Sequence, residues 1–170
     1  MRKQSHKAGV HVTLNARAQK ILAQDVRQRR HIEACGLLIG QIDAQGNWEV
    51  EHIQPLRNIF NSPVYFEFAP EDLLTAELDY PDHIIGVYHS HPTGFARASS
   101  TDRENMQRVN VEEDIPWIWL IVSGPFDEQF AITDKGSVAG TSIVAYHHYE
   151  KTGLMKIAIR FDDGVEKAGE

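Results

Sequence analysis

Apolar positions recur along the chain with two different periods. In Val10–Leu14 they alternate with polar ones, which predicts a short, half-buried strand. Asn15 then offers a helix cap, and Ala16, Ile21, Leu22, Val26 and Arg29 fall on helical spacing, predicting a helix up to about Ala34. The dense run Cys35-Gly36-Leu37-Leu38-Ile39-Gly40 predicts a strand buried on both faces. A turn at Ala44–Asn47 joins it to Trp48–Leu56, where alternation returns, so a hairpin is expected. Arg57–Ala69 has no period and holds Asn58, Asn61, Ser62 and Pro63; it reads as a long functional loop. Pro70-Glu71-Asp72 suits a helix start, with Pro in the first turn and acids at the positive dipole end, and that helix runs to about Leu78. His83–His89 is a second buried strand, followed by a polar loop at Pro92–Ala98 and a helix from Ser99 or Ser100 to about Val109. Further strands are predicted at Pro116–Ser123, Phe130–Thr133, Gly140–Glu150 and Leu154–Phe161.

No repeat or linker divides these elements. The 170 residues suit one α/β domain over residues 10–161, between a disordered basic tail at 1–9 and an acidic tail at 162–170. A hydrophobic share of 42% and a charged share of 24% are ordinary for a soluble globular chain and exclude collagen-like or wholly disordered classes. The single Cys excludes a disulfide scaffold and a thiolate-only zinc finger. The longest apolar run, Trp117–Val122, falls far short of the ~20 residues that span a bilayer, and Met1–Val10 lacks the apolar core of a signal peptide. No membrane partner and a cytoplasmic setting are therefore expected. Net charge is −7, split unevenly: residues 1–31 carry eight basic and one acidic residue, the rest nine basic and 23 acidic. The basic start reads as a solvated helix face, and an acidic protein is not expected to bind nucleic acid.

Chemistry concentrates in His89-Ser90-His91-Pro92, followed by Ser99 and Asp102. On a strand, residues i and i+2 share a face, so His89 and His91 project together and can hold one Zn²⁺. Asp102, arriving from the start of the next helix, supplies a third ligand; three protein ligands and one open position define a catalytic zinc site. A chance His-x-His is expected about once in two sequences with this many histidines. Adding Pro next to it, Ser at +8 and Asp at +11 lowers that to about one in ten thousand. Ser99-x-x-Asp102 is also a helix capping pattern, which does not compete: a capped helix start presents an Asp rigidly. Glu33 adds a carboxylate where the first helix meets the buried strand Cys35–Gly40.

Taken together, Glu33 before Gly-Leu-Leu-Ile-Gly, His89-Ser90-His91-Pro92, Ser99 and Asp102 resemble the JAMM (MPN+, Mov34) metalloprotease family, most closely its compact prokaryotic branch. The likeness extends to Asn58, Ser62-Pro63, Pro70–Leu73 and Trp119–Ser123 and covers about Val10 to Phe161. It implies a single MPN-type α/β domain, a mixed curved β-sheet flanked by helices. It also implies one zinc per chain on His89, His91 and Asp102, with Glu33 as the proton carrier and Ser99 as a hydrogen-bond donor to the oxyanion. The implied reaction is hydrolysis of a peptide or isopeptide bond at the C-terminus of a ubiquitin-like or sulfur-carrier protein. E1-like or E2-like proteins of the same operon are implied partners, and dimerisation is common among similar proteins.

By the same resemblance, a Gly-rich substrate tail adds beside Asn58–Phe68, with Asn58, Phe66 and Phe68 binding it. The alternative for these aromatics is packing of the loop on the core. Two other functions compete: a small-peptide hydrolase of the same superfold, and a non-catalytic scaffold. Cys35 opens an apolar strand and reads as a buried, inert thiol. His147 and His148, adjacent on a strand, point to opposite faces and cannot share a metal.

Overall fold

The computed structural model describes residues 5–93, 95–132 and 143–164. Its elements are β1 (His11–Asn15), α1 (Ala16–Gln28), β2 (Cys35–Ile42), β3 (Trp48–Leu56), α2 (Pro70–Asp79) and β4 (Ile84–His91). They continue with α3 (Ser100–Gln107), a π-helical turn at Arg108–Glu112, β5 (Ile118–Ser123), β6 (Ile143–Tyr149) and β7 (Gly153–Asp162). The strands pair in the order β1-β3-β2-β4-β5-β6-β7, and β1 also pairs in parallel with β7, so the sheet curls back on itself. β1/β3 and β4/β5 are parallel too, and the remaining pairs antiparallel. The mixed curved sheet flanked by helices is thus borne out. No helix among the described residues is long and apolar enough to cross a membrane.

Each central strand is buried on both faces. Leu38, Leu120 and Val122 join Leu14, Val50 and Ile53 beneath Leu22 and Val26 of α1. Their neighbours Leu37, Ile39, Trp119 and Ile121 turn the other way, against Met106 of α3, Val109 and Ala76 of α2. This double burial, about 1.5–3 kcal/mol per large side chain, is why β2 and β5 read as unbroken apolar runs.

Several boundaries differ from the sequence reading. α1 ends at Gln28, not near Ala34, because the backbone beyond Arg29 is held by other elements: Glu33 N–H donates to Ser62 O and Ala34 N–H to Ser90 Oγ. Tertiary hydrogen bonds outweigh local propensity there. α3 ends at Gln107 and passes into the π-helical turn. Phe130–Ile132 form no strand; instead the Phe130 ring meets Phe126 edge-on, and its carbonyl accepts from Arg27. Thr133 and the start of the strand expected at 140 lie outside the described residues. Within the segment expected as an N-terminal tail, His6 N–H donates to Thr152 Oγ1 and its ring sits edge-on against Tyr149.

Candidate active site

β4 lies between β2 and β5, and this fixes where its last residues point. His89 and His91 project from one face of its C-terminal end, and α3 begins opposite them. Ser99 caps α3: its Oγ accepts from Asp102 N–H while Ser99 N–H donates to Asp102 Oδ2 at 2.9 Å. The capping box expected from Ser99-x-x-Asp102 is therefore present, and it holds the Asp102 carboxylate against the histidines.

Three donor atoms converge. His89 Nε2 and His91 Nε2 are 3.1 Å apart, and Asp102 Oδ2 is 3.3 Å from each. Ligands ~2.0–2.1 Å from a tetrahedral zinc lie ~3.3–3.4 Å from one another, so this triangle fits one zinc ion. Glu33 Oε1 is 4.0 Å from His89 Nε2, beyond that spacing, although Glu33, His89 and His91 still place donor atoms within 4.8 Å of one another. Glu33 thus stands beside the triangle rather than at one of its corners. His91 Nδ1 lies 2.8 Å from Phe95 O; donating there puts the proton on Nδ1 and leaves the Nε2 lone pair facing inward. The Phe66 ring stacks on His89 at 4.7 Å, and His89 Nδ1 is buried with no partner among the described residues.

The electrostatics follow from burial and proximity. Burial lifts the Glu33 carboxyl to about 7, with His91 opposing and Asp102 adding to the rise. Burial also lowers His89 against the pull of Asp102. In His91 burial is outweighed by hydrogen bonds to Asp102 and to Phe95 O, so its pKa rises. Asp102 resists burial through both histidines and stays well below the usual carboxylate range. Glu33, His91, Ser99 and Asp102 line a cavity of about 430 Å³ whose far wall includes Tyr65 and Phe66.

Glu33 is held by its backbone. Asn58 Nδ2 donates to Glu33 O (3.1 Å) and to Tyr65 O, while Asn58 Oδ1 accepts from Phe60 and Glu67 N–H. All the amide's hydrogen-bonding positions are thereby engaged within the chain. Asn58, expected to bind substrate, has no capacity left for it and organises the loop around Glu33 instead. Phe66 does face the cavity, whereas Phe68 packs with Phe66 against the α2–α3 side of the core and does not line it. Ser99 is exposed on the cavity; with its oxygen accepting from Asp102, its own O–H is free to donate.

Ser90 escaped the sequence reading. Lying between the histidines on a strand, it faces away from them. Its Oγ accepts from Ala34 N–H (2.8 Å), its N–H donates to Ala34 O (2.9 Å), and its hydroxyl reaches Ile32 O (3.5 Å). The available signal was a hydroxyl inside a buried strand, which must find a partner. Cys35 is buried, its thiol pushed up to about 12 mainly by burial, as expected of an inert residue. His147 is buried against Trp48 and Tyr149, while His148 is half-buried on the other face.

Fold and site together define a domain of the JAB/MPN type. Residues 15–134 match the prokaryotic homologs of the JAB domain, and the chain belongs to that family. It is 32% identical over 117 residues to the desampylase of Pyrococcus furiosus, covering 66% of this chain and 76% of that one. It is 38% identical over 76 residues to the desampylase of Haloferax volcanii, covering 42% and 52% respectively. Among solved structures, a solution structure of a protein from Desulfitobacterium hafniense is similar at a TM-score of 0.68 and 27% identity, over 91% of this chain and 95% of that one.

Proposed function

We propose that this chain is a zinc-dependent hydrolase that cuts a peptide or isopeptide bond at the C-terminus of a ubiquitin-like or sulfur-carrier protein. One observation carries the chemistry: the 3.1–3.3 Å triangle of His89, His91 and Asp102 with Glu33 beside it. Family membership and the two relatives named desampylases support the substrate class. In this reading the protein works in the cytoplasm.

His89, His91 and Asp102 would hold the zinc, which when bound supplies a Lewis acid that polarises a carbonyl and lowers the pKa of water to ~7. Glu33 accepts the proton of the attacking water at its carboxylate and returns it to the departing amine. The Ser99 hydroxyl donates to the carbonyl oxygen as it takes on negative charge. Phe95 O fixes the orientation of the His91 ring, and Phe66 shields His89 from water.

A substrate trap tests this. Glu33→Gln protein, purified with zinc and incubated with lysate of the source organism, should retain about one zinc per chain and capture a small protein with a Gly-Gly-like tail, identified by mass spectrometry. Its turnover should fall by roughly a thousandfold or more. A trap that holds zinc and recovers no such protein favours hydrolysis of small peptides. Wild-type protein that binds no zinc favours a scaffold.

A further inference from the structure

A second cavity, of about 510 Å³, adjoins the site and shares His91, Ser99 and Ser100 with the first. Its other walls are Phe95, Arg97, Ala98 and Arg103, and no acidic residue lines it. The two arginines stand out in a chain with 24 acids and a net charge of −7. Like Arg17, Arg27, Arg30 and Arg160, Arg97 and Arg103 pair with no carboxylate among the described residues; what sets them apart is their place in this cavity beside His91. Arg103 is steered by Nε on Ala98 O (3.5 Å), which leaves its terminal nitrogens for other partners. Arg97 follows a tight turn closed by its N–H on Phe95 O, the same carbonyl that orients His91. The reacting centre therefore lies between an aromatic, Glu33-containing cavity and a cationic one.

We propose that the cationic cavity receives the amine side of the cleaved bond and selects a free carboxylate there. The inference rests on the hydrolase reading above and sharpens it. A substrate spanning the centre must fill both cavities, and its ubiquitin-like body lies on the acyl side, where the tail carries no free terminus. A terminal carboxylate at the centre can come only from a residue just beyond the cleaved bond. A lysine in an isopeptide is flanked by peptide bonds and offers none. The favoured substrate is thus a linear precursor ending one or two residues after the cut. Hydrolysis adds the hydroxyl of water to the acyl carbon and a proton to the departing nitrogen, releasing a tail carboxylate and a short amino acid or peptide. Planar guanidinium groups suit that carboxylate, which each can grip with two parallel hydrogen bonds.

The test uses the full chain, loaded with zinc, on four fluorescent peptides. They share one Gly-Gly tail and end in alanine with a free carboxylate, alanine amide, aspartate amide, or an Nε-linked lysine between blocked ends. Hydrolysis is followed as kcat/KM for wild type, and binding by fluorescence polarisation on the Glu33→Gln protein. The free acid should exceed the alanine amide and the isopeptide by about tenfold, two exposed ion pairs being worth that much together. The preference should shrink in high salt. Arg97→Ala and Arg103→Ala should each narrow the acid-to-amide ratio and together bring it near one, with Arg→Lys restoring part of it. Equal handling of acid and amide, or a preference that survives the double substitution, overturns the proposal. An aspartate amide as good as the free acid overturns the terminal assignment. If no peptide is cut, the binding ratio on the Glu33→Gln protein decides the role of the arginines, while the substrate trap decides the hydrolase reading.

Discussion

Ser90 binds the strand of His89 and His91 to the segment of Glu33. With Ala in its place, Ala34 N–H loses its side-chain partner inside the protein, a cost of about 1–3 kcal/mol. The larger consequence is positional, because the bonded N–H belongs to the peptide unit that joins Glu33 to Ala34. Ser90→Ala should keep its zinc and its KM but lose about 10–100-fold in kcat, as when groups supporting a metal site are removed. Ser90→Thr, which keeps the hydroxyl, should recover most of the rate; steady-state kinetics beside metal analysis reads both. Much of the site was legible at this scale. The spacing of His89, His91, Ser99 and Asp102 follows from strand period and helix capping, both local rules. The roles of Asn58 and Ser90 depend on partners about 25 and 56 positions away, which no local rule supplies.

Among the elements, the junction of α1, β2, β3 and β4 holds the site's back wall. Tyr88 Oη donates to Asp25 Oδ2 (2.6 Å), Asp25 pairs with Arg29 through two bonds, and Arg29 donates to Cys35 O and Leu56 O. Gly36, opposite Tyr88 in the β2/β4 register, gives the phenol room: a Cβ there would lie 2.6 Å from Tyr88 Cε1 and Oη. Gly36→Ala should therefore cost about 2–3 kcal/mol through displaced packing. Thermal unfolding should show it as a fall of roughly 5–10 °C in Tm for a domain of this size. The strand over Cys35–Gly40 was readable because it is buried on both faces. The end of α1 was not, since the segment after Arg29 is shaped by hydrogen bonds to Ser62 and Ser90 rather than by its own composition.

At the scale of the molecule, stability should depend on acid and on metal. His147 is 1% exposed, donates Nδ1–H to Trp117 O, and is held down to about 4, chiefly by burial, from an ordinary value near 6.5. A lowered folded pKa means the unfolded chain takes up the proton first. The stabilisation is thus intact above pH ~6.5 and is lost as pH falls toward 4, by at most about 3 kcal/mol. Denaturant titrations across that range should show the slope, and His147→Gln should flatten it. Metal acts through linkage, since an ion held only by the folded triangle stabilises by mass action. At saturating zinc, chelation should lower Tm by roughly 10 °C, read by calorimetry with and without chelator; an unchanged Tm would remove zinc from the site.

The amino-acid sequence alone determined the α/β class, the position of the central strands and which side chains come together around His89 and His91. These follow from periodicity, capping and ligand spacing, which act over a few residues. Only the tertiary structure decided that Glu33 stands beside the triangle of His89, His91 and Asp102 and not in it, and that Asn58 is consumed by the loop. It also set Phe66 over His89 while turning Phe68 into the core, and opened a cationic cavity at Arg97 and Arg103. Each of these is a distance between segments far apart in the chain. Such distances are set by how the strands register and how the loops fold back upon them, and those are the quantities a local pattern does not carry.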